Sequence, residues 1–182
     1  MTDPYVLPAE PSAADAIATI REEFEFLDEG EMQFTHLIDL SRRLPPFPPE
    51  WQDAAHVVPG CLAKVWLAST VRDGRLLLAG ASNAILVGGI VGLVLRVYSG
   101  RPLAEVLATD PGFLAELGMP ELTSNRKNGV AAMVKRIRET AQACAIQACA
   151  IQACAIPAGA IPAGAIPAGA VSADAVLAGA AT

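Results

Sequence analysis

Cys61 is the residue best placed to do chemistry. It lies in Val58-Pro59-Gly60-Cys61-Leu62-Ala63-Lys64-Val65-Trp66-Leu67, where a Pro-Gly turn breaks into a strand-like run. Gly60 admits backbone conformations closed to other residues, so the thiol is expected on a tight loop just before a strand. That position suits a working thiol more than a core-filling one. The thiolate is the reactive form, and a nearby cation lowers its pKa. Lys64 and Arg126 are the candidate cations: Lys64 three residues along, where a strand can turn it elsewhere, and Arg126 only if the fold brings it close.

Other arrangements are weaker. Cys144, Cys149 and Cys154 recur every five residues. On a helix that spacing turns each by ~140° from the last, so they share no face. No His lies near them and no C-x-x-C exists, which argues against a zinc or iron–sulfur site. A Cys61–His56 pair for nucleophilic catalysis would need contact between them. The plainer readings are an exposed loop residue for His56 and a helix-surface or satisfied core residue for His36. The chain has no G-x-S-x-G, H-E-x-x-H, dinucleotide or phosphate-loop motif, which disfavours an ordinary hydrolase, dehydrogenase or kinase.

The elements that must position Cys61 are legible on either side of it. Residues 1–11 hold Pro4, Pro8 and Pro11 and are expected to form a flexible arm. Ser12 can cap a first helix, on which Ile17, Ile20, Phe24 and Leu27 share a face, with Gly30 as its stop. A second helix carries Phe34, Leu37, Ile38 and Leu44. Pro45-Pro46-Phe47-Pro48-Pro49 stops it and makes a stiff connector. Residues 61–80 are predicted to form a hairpin that begins at the cysteine. Its first strand alternates Val65, Leu67 and Val71 with Lys64, Trp66 and Thr70. Asp73-Gly74 is the turn and Leu76-Leu77-Leu78-Ala79 returns.

Ser82 or Asn83 is expected to cap an apolar helix over 84–98, hydrophobic nearly all round and so buried. Gly88, Gly89 and Gly92 each weaken it by ~1 kcal/mol relative to Ala, and their expected use is close approach of another backbone. Short helices are predicted over 102–109 and 111–117. A last one starts near Thr123 or Ser124, with Val130, Met133, Val134 and Ile137 as its core face. From Gln142 the chain is a pentapeptide repeat: QACAI three times, PAGAI twice, then PAGAV, SADAV and LAGAA. The first units can extend the helix, and Pro157 should end it. Beyond that the composition predicts disorder, and a pentapeptide β-helix is disfavoured by the recurring prolines. The organisation is thus an arm (1–11), a domain (12–141) and a low-complexity tail (142–182). The fold class is α+β, a small antiparallel sheet packed by several helices.

Bulk properties narrow the partners. The 182 residues carry a net charge of −6, which argues against nucleic acid. Residues 1–53 hold 12 acids and three arginines, whereas 123–141 hold five bases against Glu139. Those ends are expected to attract each other or keep the fold soluble, with a basic docking face as the sharper alternative. Met1-Thr2-Asp3-Pro4 has no basic leader, and the apolar run 84–95 is shorter than the ~20 residues a span needs. A cytoplasmic protein with reduced thiols and no membrane partner is expected.

Taken together, residues ~15–141 resemble the SufE/CsdE family of sulfur acceptors for cysteine desulfurases. The resemblance runs in order through two helices ending at Leu44-Pro45, Gly60-Cys61 with Val65-Trp66-Leu67, and Gly80-Ala81-Ser82-Asn83-Ala84 with Val87 and Gly89. It closes with Leu122-Thr123-Ser124-Asn125-Arg126-Lys127-Asn128-Gly129 followed by Met133, Ile137 and Arg138. It implies a domain similar to the scaffold protein of iron–sulfur assembly. Cys61 matches the cysteine that takes sulfane sulfur from a desulfurase persulfide and passes it on. Between encounters, Leu62, Trp66 or the 84–98 helix is expected to shield that thiol. Arg126 and Asn128 match an Arg-x-Asn-Gly segment near the cysteine loop and partner surface, and Gly60, Lys64, Trp66 and Asn83 are the remaining loop-supporting or partner-binding candidates. Ala63 stands where the family usually has Ser, Asn83 where it often has Asp, and Glu29-Gly30 where an acidic-aromatic pair is common. The implied partners are a desulfurase (SufS/CsdA-like) and an iron–sulfur scaffold (SufBCD-like). No cofactor is implied, since pyridoxal phosphate belongs to the desulfurase. The alternatives are a docking module that carries no sulfur, and a thiol-dependent enzyme using Cys61 and His56.

Overall fold

The computed structural model describes residues 3–7, 9–27, 30–60, 63–117 and 124–154, with backbone alone at 115–117, 124–127 and 148–154. The chain divides into two units, Met1–Gln147 and Ala148–Thr182. In the second, the described part is helical backbone as far as Cys154; the rest of the repeat lies outside the described residues.

The first unit is α+β. Two helices, α1 (Ala13–Glu25) and α2 (Glu31–Arg43), precede a 3-10 turn at Pro49–Trp51. Then come β1 (Val65–Arg72), β2 (Arg75–Ser82), α3 (Ile85–Tyr98), β3 (Arg101–Pro102), α4 (Leu103–Ala108), a 3-10 segment at Pro111–Leu117 and α5 (Ser124–Cys154). The sheet is antiparallel in the order β1-β2-β3. Asp73 and Gly74 both have positive φ, the two-residue turn that matches strand twist. Val65, Leu67, Leu76 and Leu78 pack with Ile90, Val91, Val94 and Leu95 of α3 in one core cluster. Helices α1 and α2 also pack on α3, which explains its nearly uniform hydrophobicity: it has little face left for water. Its glycines lie against α2 as expected, with Gly88 on Ser41, Gly89 on Leu37 and Gly92 on Leu40. Val130, Met133, Val134 and Ile137 are buried on α5.

Several expectations are corrected. The hairpin begins at Val65, not at the cysteine, and runs to Ser82, because Asn83 and Ser82 close its open end onto Lys64. Neither Ser82 nor Asn83 caps α3 as an ordinary N-cap: Ala84 takes that place without a side-chain bond. Gly30 does not end α1, which stops at Glu25; it is the N-cap of α2, with φ +102°. Arg101 and Pro102 pair with β2 before Pro102 caps α4 at Leu103–Ala108, one residue inside each end of the predicted helix, and 111–117 is 3-10 rather than α. Nor do the described bases of α5 meet the N-terminal acids. Arg136 and Arg138 donate to backbone carbonyls and Lys135 pairs with Glu139.

The expected loose arm is tied down where it is described. Val6 donates to the Leu78 carbonyl at 2.9 Å, and Arg72 pairs with Asp3 at 2.7 Å. Arg96 forks onto Glu10 and Glu23, and buried Arg101 donates to the Glu10 carbonyl at 2.7 Å. Composition suggested a free arm because these partners lie 69 to 91 residues away.

This latch has a pH signature. Burial is the largest single influence and pushes the Glu10 carboxyl up, but the Arg96 hydrogen bond, a backbone hydrogen bond and the nearby Arg96 and Arg101 charges together outweigh it and hold the group below the ordinary glutamate range. A lowered folded pKa gives stability that is complete above the unfolded value, about 4.3. It is lost as pH falls through the folded one. Wild type should therefore lose stability more steeply below about pH 4.3 than Glu10→Gln. Denaturant midpoints across that range measure it; equal slopes would remove Glu10 as the cause.

Candidate functional site

The thiol loop rises from a fixed base. The Val58 N–H donates to the Val65 carbonyl at 2.8 Å, and the Leu67 N–H to the His56 carbonyl at 2.9 Å. Val57 bridges Trp66 in antiparallel sense. Residues 56–58 and 65–67 are thus two joined stems, and the chain between them, 59–64, carries Cys61. Cys61 and Leu62 lie outside the described residues, so the expected shielding of the thiol does too. Pro59, Gly60 and Lys64 beside them are exposed. Gly60 has φ +87°, the left-handed conformation anticipated from its type.

The far side of the base is clamped by the end of β2. The Asn83 side-chain oxygen accepts from the Lys64 N–H at 2.9 Å, while the Asn83 N–H donates to the Lys64 carbonyl at 3.2 Å. The Ser82 hydroxyl also donates to that carbonyl at 3.0 Å. Asn83 thus satisfies the Lys64 backbone in both directions, by its side-chain oxygen and its own backbone N–H. The Lys64 side chain is exposed and makes no ion pair among the described residues.

Helix α5 flanks the near side. Asn128, Ala132 and Arg136 recur every four residues and share a face. Arg136 donates to the carbonyls of Val57 at 2.7 Å and Ala55 at 2.6 Å. A Cβ added at Gly60 would stand 4.0 Å from that of Ala132. One turn further toward the helix start is Asn128, exposed. Arg126 lies on the same helix, and the position of its guanidinium is outside the described residues. The structure therefore gathers Gly60, Lys64 and Asn83 at the loop, with Asn128 along the adjoining helix. Trp66 lies apart, on the opposite face of the sheet from buried Val65 and Leu67, packed against Phe47, Ala68 and Ala79.

Arg136 is the supporting residue that sequence reasoning missed as such. It was one of five bases, and its spacing from Asn128 and Ala132 was the available signal. Its planar fork suits two carbonyls at once, which a lysine ammonium does not reproduce. Arg136→Ala should cost about 1–3 kcal/mol, read as a lowered urea midpoint. Arg136→Lys should recover only part of it; full recovery would show that charge alone matters.

The other candidate groups are accounted for. His56 Nδ1 contacts Asp53 Oδ1 at 2.7 Å and holds that carboxyl below the ordinary aspartate range. His36 stands 3.6 Å from Glu23 and edge-on to Phe24, at the arm-side ion cluster. Cys144 is half-buried on α5, and the Cys149 and Cys154 side chains lie outside the described residues. Among the described residues, no group of His, Cys, Asp and Glu could hold a metal ion. No helix there is long and apolar enough to cross a membrane.

The SufE family, described as an Fe-S metabolism associated domain, matches residues 18–141. An uncharacterized SufE-like protein of Rhizobium etli is 38% identical over 132 residues, covering 69% of this chain and 89% of that one. SufE-like proteins of Rhizobium meliloti and Synechocystis, also uncharacterized, are 33% and 28% identical. They cover 68% and 77% of this chain and 92% and 89% of their own lengths. In fold it is similar to the solution structure of a hypothetical protein from Thermus thermophilus. That likeness has a TM-score of 0.59 and 24% identity, over 70% of this chain and 93% of that one. The chain belongs to the SufE family, the Fe-S metabolism associated domain.

Proposed function

We propose that this protein is a sulfur acceptor for a cysteine desulfurase, with Cys61 as the thiol that carries sulfur toward iron–sulfur cluster assembly. The observation that carries the reading is the loop 59–64, anchored at both stems while its described flanks are exposed. A thiol that must enter another protein's cleft needs reach at the tip and order at the base. A helix-borne cysteine has no such reach.

The chemistry is a thiol–persulfide exchange. The Cys61 thiol gives its proton to solvent, and the thiolate attacks the terminal sulfur of the desulfurase persulfide. A new S–S bond forms on Cys61 as the old one breaks, and the donor cysteine leaves as a thiolate and takes up a proton. No net oxidation occurs. The same step in reverse sense delivers sulfur to a cluster scaffold. Lys64 and Arg126 are the cations whose nearness would favour the Cys61 thiolate. Asn83 and Arg136 hold the loop base, and Asn128 with Lys64 offers polar contacts to the docked partner. The protein is a co-substrate rather than a stand-alone enzyme and uses no cofactor of its own. Its thiol is at rest in a reducing cytoplasm.

Incubating the reduced protein with a cysteine desulfurase and cysteine, then mapping sulfur adducts by peptide mass, tests this. An adduct on Cys61 that requires the desulfurase is expected. Adducts confined to Cys144, Cys149 and Cys154 would overturn it.

A further inference from the structure

We infer that Tyr5 and Trp51 are positioning residues for the thiol loop, clamping both of its stems from the outer face of the sheet. The inference rests on the reading above only in giving that loop its work. The two stems are residues 56–58 and 65–67, and one side chain from each enters the same aromatic cluster. From the first stem, the His56 ring stacks on Trp51, with centroids 6.0 Å apart and planes 19° from parallel. From the second, Trp66 packs against the small cluster of Phe47, Ala68 and Ala79, which Trp51 and Tyr5 also border. Trp51 therefore stacks on the chain as it enters the loop and borders the same cluster as Trp66 where the chain leaves it.

Trp51 is itself held from three sides. Phe47 meets it edge-on at 5.8 Å, and Tyr5 lies 6.1 Å away at a 45° tilt. The prolines around Phe47 stiffen that connector, since each fixes its own φ. Tyr5 is delivered by an anchored backbone rather than a loose terminus. Its neighbour Val6 donates to Leu78, and Ser99 donates to the Val6 carbonyl. The Arg72 guanidinium, paired with Asp3, covers the outer face of the Tyr5 ring at 5.0 Å. The order from outside inward is Arg72, Tyr5, Trp51, His56 and then the loop. The arm thus reaches the base of the thiol loop through ring contacts. An aromatic cluster that merely covered the sheet would have no cause to stack on His56, whose carbonyl closes the first stem.

The test compares Tyr5→Ala, Tyr5→Phe and Leu7→Ala in the full chain without any desulfurase. Leu7 is on the same arm, 71% exposed and outside the cluster. Amide exchange of Val58 and Leu67 reads the stems, and peptide-resolved alkylation by iodoacetamide reads Cys61. Tyr5→Ala should speed both stem amides about three- to tenfold, as loss of one aromatic pair implies, and should change the Cys61 rate. Tyr5→Phe, which keeps the ring, and Leu7→Ala should match wild type. Stem exchange and alkylation unchanged in Tyr5→Ala, or changed equally in Leu7→Ala, would overturn the inference. Because no persulfide enters this experiment, its result is independent of whether Cys61 accepts sulfur.

Discussion

Cys61→Ser is expected to abolish sulfur acceptance and with it all stimulation of a partner desulfurase, while leaving the fold intact. The exchange needs a polarizable nucleophile that is ionised near neutral pH. A serine hydroxyl is neither, and the S–S bond that conserves the sulfane sulfur has no oxygen counterpart. The described bonds of the loop base are made without the thiol: Val58–Val65, Leu67–His56 and Lys64–Asn83 join backbone groups and one side-chain amide. The unfolding free energy from urea titration should therefore stay within about 0.5 kcal/mol of wild type, as for a substitution that removes none of those bonds. A pull-down should still recover the desulfurase. Stimulation assayed as sulfide release in the presence of a reductant decides the matter. Stimulation that survives in Cys61→Ser would mean a docking module that acts without carrying sulfur. Loss in His56→Ala as complete as in Cys61→Ser, with the stems still formed, would instead favour a thiol–histidine enzyme. The present geometry gives that ring to Asp53 and Trp51.

What the sequence discloses about this site divides by range. Short-range signals carry through. Ser12 caps α1 by accepting from the Asp15 N–H, Asp73-Gly74 makes its turn, and the spacing of Val130, Met133, Val134 and Ile137 gives the buried face of α5. In each case the cause lies within four residues, so the chain itself displays it. Gly60 belongs here too, since its positive φ is a property of one residue and its neighbours. Long-range contacts do not carry through. Asn83 looks like a helix cap because its side chain can serve the N–H groups after it. A better partner, the Lys64 N–H, arrives from 19 residues away once β1 and β2 pair. Arg136 looks like one base in a solvated run until its fork is seen on carbonyls 79 and 81 residues distant. The arm looks free because Pro4 and Pro8 deny it a regular strand. One bridging residue, Val6, with salt bridges from Asp3 and Glu10, is enough to fix it, and no periodicity announces a single bridge.

The second large effect concerns the three glycines of α3, which should respond to alanine with opposite signs although all three sit in one helix. Gly89→Ala is expected to be strongly destabilising. Its added Cβ would stand 2.2 Å from the Leu37 carbonyl oxygen and 2.8 Å from the Leu37 Cα. Those are backbone atoms of α2, so the clash cannot be relieved by a rotamer, and α2 must move bodily off α3. Overpacking of this kind costs about 1–3 kcal/mol, at the upper end when backbone must shift. The helix gains only ~1 kcal/mol from replacing Gly by Ala, so the clash wins. Gly92→Ala meets nothing nearer than the Leu40 carbonyl oxygen at 3.6 Å, an ordinary contact. There the propensity gain stands alone, and the variant should be about 0.5–1 kcal/mol more stable than wild type. Gly88→Ala falls between. Its Cβ would meet the Ser41 hydroxyl at 2.3 Å, but a serine side chain can turn aside. Urea midpoints of the three variants should therefore rank Gly92→Ala above wild type, then Gly88→Ala, then Gly89→Ala. If all three rose together, the α2–α3 contact would be looser than its geometry states, and propensity alone would govern this helix. If all three fell together, α3 would tolerate no added methyl anywhere against α2. The close approach would then extend a full turn beyond Gly89. Because α3 also bears the inner face of β1 and β2, whose ends close the thiol loop, Gly89→Ala should loosen the Lys64–Asn83 clamp as well. The exchange rate of the Lys64 amide relative to the global midpoint separates that local effect from unfolding.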